Sequence, residues 1–148
     1  MIRPLVTQDA PIVRIKAETL AAYYYPEMIP DIDAEVRIIT ELRNSPAHHY
    51  AKVVGSVGKP VAALLAKTGS NVWATRKHSS VLLWYSEQPG AGRALLRDYR
   101  DWVLTQKQLT VAGMADDFGM DARIAAMLRR EGFSQRGGAF LLFPRGDL

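Results

Sequence analysis

The chain has 148 residues, 48% hydrophobic and 23% charged, the make-up of a soluble globular protein with one core, so a single domain over residues 1–148 is expected. Nineteen Lys and Arg against fifteen Asp and Glu give a net charge of +4, dispersed along the chain; that pattern does not single out nucleic acid as a partner, and it equally suits a basic mouth for an anionic cofactor. The absence of cysteine excludes disulfides, thiolate nucleophiles and Cys-based zinc sites, and the early charges of "MIRPLVTQDAPIVRIKAE" argue against a signal peptide or membrane span, so a cytoplasmic protein is expected.

Ile2 to Val6, interrupted by Pro4, reads as an edge strand. Asp9 then stands as an N-cap with Pro11 in the first turn of a helix whose inward positions are Ile12, Ile15, Thr19 or Leu20, and Tyr23. Pro26 and Pro30 break the chain, and Val36, Ile39 and Leu42 or Arg43 mark a second helix ending near "NSP". A hairpin follows around Val57-Gly58-Lys59-Pro60, with another break at Thr68 to Asn71. "SSVLLWY" is a continuous apolar run, as expected of a central strand buried on both faces. Beyond two glycines, Leu95, Leu96, Tyr99, Trp102 and Val103 share one side of a helix. "QLTVAGM" is a short buried strand, and "DARIAAMLRREGF" a helix with Ile124, Met127 and Leu128 inward and Gly132 at its stop. "GAFLLFP" is the last strand, with room for a short one before it near Phe133. The order is β-α-α-β-β-β-α-β-α-β(-β).

The segment Glu87-Gln-Pro-Gly-Ala-Gly92 joins the central strand to a helix. The first amides of a helix lack intrahelical partners, and the helix dipole adds partial positive charge there. Glycines let an anion approach the backbone, and Arg93 adds a full charge. Pro89-Gly90 taken alone is a β-turn. A P-loop would need a lysine after the glycines, and a Rossmann turn a third glycine where Leu95 stands.

The order of elements, the "ExxGxG" of Glu87 to Gly92 between strand and helix, and "AAMLRREGF" before a terminal strand together resemble the GNAT family of N-acetyltransferases, whose motif is Arg or Gln-x-x-Gly-x-Gly or Ala. The resemblance spans essentially the whole chain and implies a mixed, mostly antiparallel α/β sheet flanked by helices. It implies acetyl-CoA as cofactor, with the backbone of Tyr85, Ser86 and Glu87 along the pantetheine arm and acetyl carbonyl. Gln88, Gly90, Ala91, Gly92, Arg93 and Ala94 would then hold the pyrophosphate. It also implies a primary amine acceptor, on a small molecule or a protein, and allows a homodimer. Within the family, the short, cysteine-free chain looks like the small bacteriophage and bacterial members. Two positions depart from the pattern: Glu87 stands where Arg or Gln is usual, and Leu128 where many members carry the tyrosine thought to protonate the leaving thiolate.

Acetyl transfer needs a group to remove a proton from the amine and a donor for the acetyl oxygen. Glu87, or Asp116 and Asp117 after "TVAGM", are candidate bases; a backbone amide near Tyr85 or Ser86 is the candidate donor, and the Tyr85 phenol or solvent replaces the missing acid. Without cysteine, no cysteine-linked acetyl intermediate forms, and direct attack in a ternary complex follows. Tyr24 and Tyr25, in "YYYPE", are candidate acceptor-binding residues, with packing as the alternative. His48, His49 and His78 read as surface or hydrogen-bonded residues, since adjacent histidines on a strand diverge; no metal site is expected. Trp73, Trp84 and Trp102 read as core, and "RKHSS" at Arg76 to Ser80 as a solvated loop. The competing functional reading, motivated by Glu87 and Leu128, is a non-catalytic CoA-binding or regulatory protein with the same fold.

Overall fold

Pro4 has no amide hydrogen to offer a ladder, and the first strand, β1 (Ile2–Pro4), ends on it at the sheet edge. The computed structural model describes residues 1–70, 77–115 and 121–146. A 3-10 turn (Thr7–Asp9) leads into α1 (Ala10–Tyr24) and α2 (Ile32–Asn44). Then come β2 (Tyr50–Ser56), β3 (Lys59–Ser70), β4 (Lys77–Ser86), α3 (Ala91–Thr105), β5 (Leu109–Ala115), α4 (Ala122–Arg130), β6 (Ser134–Arg136) and β7 (Ala139–Leu142). The strands form one seven-stranded sheet in the order β1-β2-β3-β4-β5-β7-β6, and only the β4–β5 pair is parallel. This is the expected mixed, mostly antiparallel α/β order, with the short strand just after Phe133.

Two helical layers cover the sheet. On one face Leu95, Leu96, Tyr99 and Val103 of α3 and Ala125 and Leu128 of α4 pack on Tyr50, Leu64, Ala112 and Phe140. On the other, Val13, Ile39 and Leu42 of α1 and α2 pack on Val53, Ala63, Leu65 and Leu83. Glu131, buried just past α4, accepts from Arg100 at 2.6 Å and from Arg97 at 3.2 Å, which ties α4 to α3. Among the described residues no helix is long and apolar enough to cross a membrane.

Several local expectations change. In α1 the buried side is Ala10, Val13 and Ala17, while Ile15, Leu20 and Tyr23 are exposed. Small residues at i, i+3 and i+7 let the helix come close to the sheet, and that proximity outweighs the larger but outward apolar positions. Val36 of α2 and Ile124 of α4 are likewise exposed. The strand buried on both faces is β3, through Ala62 to Ala66, and not β4, where Leu82 is 50% exposed. β3 also continues through Thr68 and Gly69 to Ser70, paired with Lys77, so the expected break at Thr68 does not occur.

Asp9 occupies the position before α1 but has helical dihedrals, and its side chain caps no amide of α1. Its buried carboxylate accepts from the Val6 amide (2.9 Å), the Gly58 amide (2.9 Å) and both terminal nitrogens of Arg3 (2.7 and 2.9 Å). Burial alone would push this carboxyl up; the Arg3 guanidinium and the two amides outweigh it and hold the group below its ordinary range.

Candidate active site at the end of β4

The parallel pairing of β4 with β5 runs from Lys77–Leu109 to Ser80–Gly113, whereas β4 stays paired with β3 as far as Ser86–Ala62. Between those limits the β3 register jumps from Ala66–Val81 to Leu65–Leu83, which leaves Leu82 as the extra residue of a β-bulge. A bulge bends its strand and re-aims the backbone. Here it coincides with the point where β4 parts from β5, and the two strands fork beyond Ser80 and Gly113. The Glu87 amide donates to the Val61 carbonyl at 2.7 Å. By the alternation of an antiparallel ladder, Tyr85 and Leu83 then face β3 with their backbone groups, and those of Trp84 and Ser86 point into the fork. A cavity of about 290 Å³ lies below the fork, over the paired part of β4 and β5 and against β7, its walls including His78, Ser80, Val81, Gly113, Met114 and Leu141.

The turn that follows is tight. The Ser86 hydroxyl donates to the Gln88 carbonyl at 2.7 Å and accepts from the Gln88 amide at 3.3 Å. The Ala91 amide donates to the Gln88 carbonyl and the Ala94 amide to the Gly90 carbonyl. Among the described residues, the amides of Gly90, Gly92 and Arg93 have no acceptor. They open a helix of 15 residues, at the positive end of its dipole. The two glycines have different reasons to be there. Gly90 sits at φ 83°, a left-handed conformation that side chains disfavour. Gly92 lets helix meet strand: an added Cβ would lie 3.0 Å from the Ser86 Cβ, and the Trp84 indole donates to the Gly92 carbonyl at 3.0 Å.

Glu87 answers for its own unusual position. Its carboxylate pairs with Lys16 of α1, so an ammonium partners the acid beside the loop. Tyr85 turns its ring onto the α1 and α2 side of the core, and its hydroxyl is buried without a hydrogen-bond partner among the described residues. Burial, and after it the negative charges of Glu87 and Asp9, push this phenol up to about 12. Arg93 and Ala94 are exposed and Ala91 is buried. Tyr24 and Tyr25 are exposed at the end of α1, where the Tyr23 and Tyr24 rings meet edge to face at 5.0 Å. They stand about 12 Å along the helix from Lys16. Asp116, Asp117, Trp73 and Arg76 lie outside the described residues.

Elsewhere, His49 is buried and its Nδ1 accepts from the Thr68 amide at 3.0 Å; burial lowers its pKa. No group of three possible metal ligands occurs among the described residues. Leu128 is fully buried in the α3 and α4 core and offers no proton. Sequence reasoning passed over Lys16, Leu82, Ser80 and Gly113. No local signal marks them, because a bulge and an ion pair between distant segments depend on strand register and helix placement.

No family model matches the chain, and no curated protein matches it in sequence. Solved structures do match in shape. A ribosomal-protein-alanine N-acetyltransferase from Brucella melitensis superposes with a TM-score of 0.73 at 17% identity, over 97% of this chain and 99% of that one. A GNAT family acetyltransferase from the same organism, in complex with acetyl-CoA, gives 0.66 at 18% identity over 100% and 90%. A chain of the NatC complex bound to Gag peptide and CoA gives 0.64 at 11% identity over 97% of each. At these identities the likeness establishes the GNAT fold.

Proposed function

We propose that the chain is an acetyl-CoA-dependent N-acetyltransferase that passes acetyl directly to a primary amine in a ternary complex. The observation that carries this reading is the trio of amides without an acceptor among the described residues, Gly90, Gly92 and Arg93, in the turn that follows β4. Convergent amides at a helix N-terminus suit a pyrophosphate, and the Arg93 side chain adds charge. A fork with free backbone groups suits an amide-bearing arm, which would lie along Trp84 and Ser86, because the Tyr85 backbone and the Glu87 amide, expected to line the arm, are turned to β3. Gln88, Ala91 and Ala94 shape the turn through their own hydrogen bonds.

Acetyl-CoA, when bound, supplies an activated thioester. The chain's own contribution is positional and electrostatic. The Ser86 or Trp84 amide is the donor for the acetyl oxygen. Tyr85, pushed up to about 12, keeps its proton at neutral pH, and either this phenol or solvent would return a proton to the leaving sulfur. Lys16 neutralises Glu87 so that the acid does not repel phosphate. Glu87 and Asp116 remain candidate bases, and the exposed Tyr24 and Tyr25 form the acceptor's approach. A cytoplasmic setting and a homodimer belong to the same reading.

Isothermal calorimetry with acetyl-CoA, followed by a thiol-release assay over polyamines, aminoglycosides and peptides with free amino groups, tests it. Binding with turnover supports the transferase. Binding without turnover supports the second reading, a non-catalytic CoA-binding protein, which the buried Leu128 favours. No binding overturns both.

A further inference from the structure

Lys16 lies on the flank of α1, between the inward residues Val13 and Ala17, and its ammonium pairs with the Glu87 carboxylate at the head of the glycine turn. Both side chains reach solvent, with 37% of Lys16 and 47% of Glu87 exposed, so the pair is worth under about 1 kcal/mol and opens readily. Lys52 is held by Asp98 at 2.9 Å and Lys67 by Glu41 at 3.3 Å, and Lys77 stands at the opposite end of β4 from Ser86. Among the described residues Lys16 alone pairs its ammonium with an acid of the turn. Glu87 directly follows Ser86, whose amide is proposed above for the acetyl oxygen, and adjacent Cα atoms are about 3.8 Å apart. The Glu87 charge also reaches the Tyr85 phenol, whose ring packs in the same cluster as Ala17. Amine, carboxylate and phenol thus gather on the α1 side of β4, within a residue or two of the Ser86 amide. A lysine's flexible four-carbon stem spans that distance.

We infer that Lys16 is an acetylation site of the chain itself, modified by the acetyl-CoA bound at its own turn. This rests on the transferase reading above. Glu87 takes one proton from the Lys16 ammonium and passes it to solvent. The freed nitrogen bonds to the acetyl carbon as the carbon–sulfur bond breaks and sulfur leaves with the electron pair. A second proton passes from nitrogen, through the Tyr85 phenol or solvent, to the thiolate, so acetyl-lysine, free thiol and one solvent proton result. Acetylation removes the lysine charge. The Glu87 carboxylate, no longer paired, then stands beside the amides of Gly90, Gly92 and Arg93, where it opposes a pyrophosphate. The modification weakens the binding of the donor that made it, and the reaction limits itself.

The test incubates the chain with acetyl-CoA and no added amine, and maps acetyl-lysine by mass spectrometry of proteolytic peptides. Lys16 is acetylated at least about tenfold faster than the exposed Lys107, with a rate constant that does not change with protein concentration. Excess CoA, which competes for the turn without carrying acetyl, slows the reaction at Lys16 and leaves Lys107 as it was. A second readout needs no turnover: calorimetry at low salt gives a several-fold higher acetyl-CoA Kd for the chain acetylated at Lys16 and for Lys16→Gln, which carries a neutral amide there, and added salt narrows the difference. In Lys16→Arg, which keeps the charge, no acetyl group appears at this position and the Kd does not rise with incubation. Acetylation of Lys16 no faster than of Lys107, insensitivity to CoA, a rate constant that scales with protein concentration, or an unchanged Kd after acetylation overturns the inference. If spermidine or an alanine-initiated hexapeptide is acetylated while Lys16 stays unmodified, the inference falls and the transferase reading stands. Failure to bind acetyl-CoA overturns both.

Discussion

Gly58 in the β2–β3 hairpin and Gly90 before α3 mark two turns where backbone amides converge, and the turns differ in what meets those amides. At the first, the Gly58 and Val6 amides reach the Asp9 carboxylate, which Arg3 also holds from β1. At the second, the amides of Gly90, Gly92 and Arg93 converge with no protein acceptor among the described residues, and the nearby acid, Glu87, is drawn off by Lys16. The donor chemistry is the same: amides plus an arginine. Where the chain supplies the anion, the cluster is a structural knot between the N-terminus and a hairpin; where it withholds the anion, the cluster is the receptor proposed above for a pyrophosphate.

Removing the internal anion has the largest expected effect. Asp9→Ala leaves Arg3 and two amides without their partner and is expected to cost about 3 kcal/mol of stability, read as a lower urea midpoint. The same group gives a pH signature. Its folded pKa lies below its unfolded value, so its stabilisation is full above the unfolded value and is lost as pH falls through the folded one, below about pH 4. Acid unfolding monitored by circular dichroism should be steeper in wild type than in Asp9→Ala. Equal steepness would mean that the knot does not carry the acid sensitivity.

At the second turn the expected loss is in binding. Gly90→Asp places a negative charge in the cradle and a side chain at φ 83°; acetyl-CoA affinity should fall by about 100-fold, or ~2.7 kcal/mol, with about 1 to 2 kcal/mol of destabilisation from the dihedral alone. Gly90→Ala separates the two terms, because a Cβ there meets nothing within 4 Å: it should share the destabilisation and keep most of the affinity. Gly92→Ala is a packing change, with its Cβ 3.0 Å from that of Ser86, and should cost about 1 kcal/mol of stability by overpacking. Lys16→Ala has the smallest stability effect, under about 1 kcal/mol for an exposed pair, yet it releases the Glu87 charge toward the loop. Calorimetry at low salt should then show acetyl-CoA binding several-fold weaker, and the difference should shrink as salt is raised. Unchanged affinity would remove Lys16 from the account.

The order of elements was legible in the chain because it depends on local pattern: proline and glycine punctuation, the 3.6-residue stripe of Leu95, Leu96, Tyr99 and Val103, and the "ExxGxG" turn. Asp9 was also visible, but as a helix cap. Its actual partner Gly58 lies 49 residues away, and no window of sequence contains both. The inward side of α1 was misjudged for a related reason: several apolar stripes are available on that helix, and only the distance to the sheet selects the one with alanines.

The site divides along the same line. The sequence revealed the turn proposed as the cradle, since the glycines, the helix start and Arg93 are neighbours along the chain and their amides are oriented by the turn they form. The fork, the bulge at Leu82 and the neutralising Lys16 arose from strand register and from helices docking on the sheet. Those are relations between segments distant in sequence, and the free energy that selects them, burial of apolar surface together with pairing of buried charge, exists only once the segments meet.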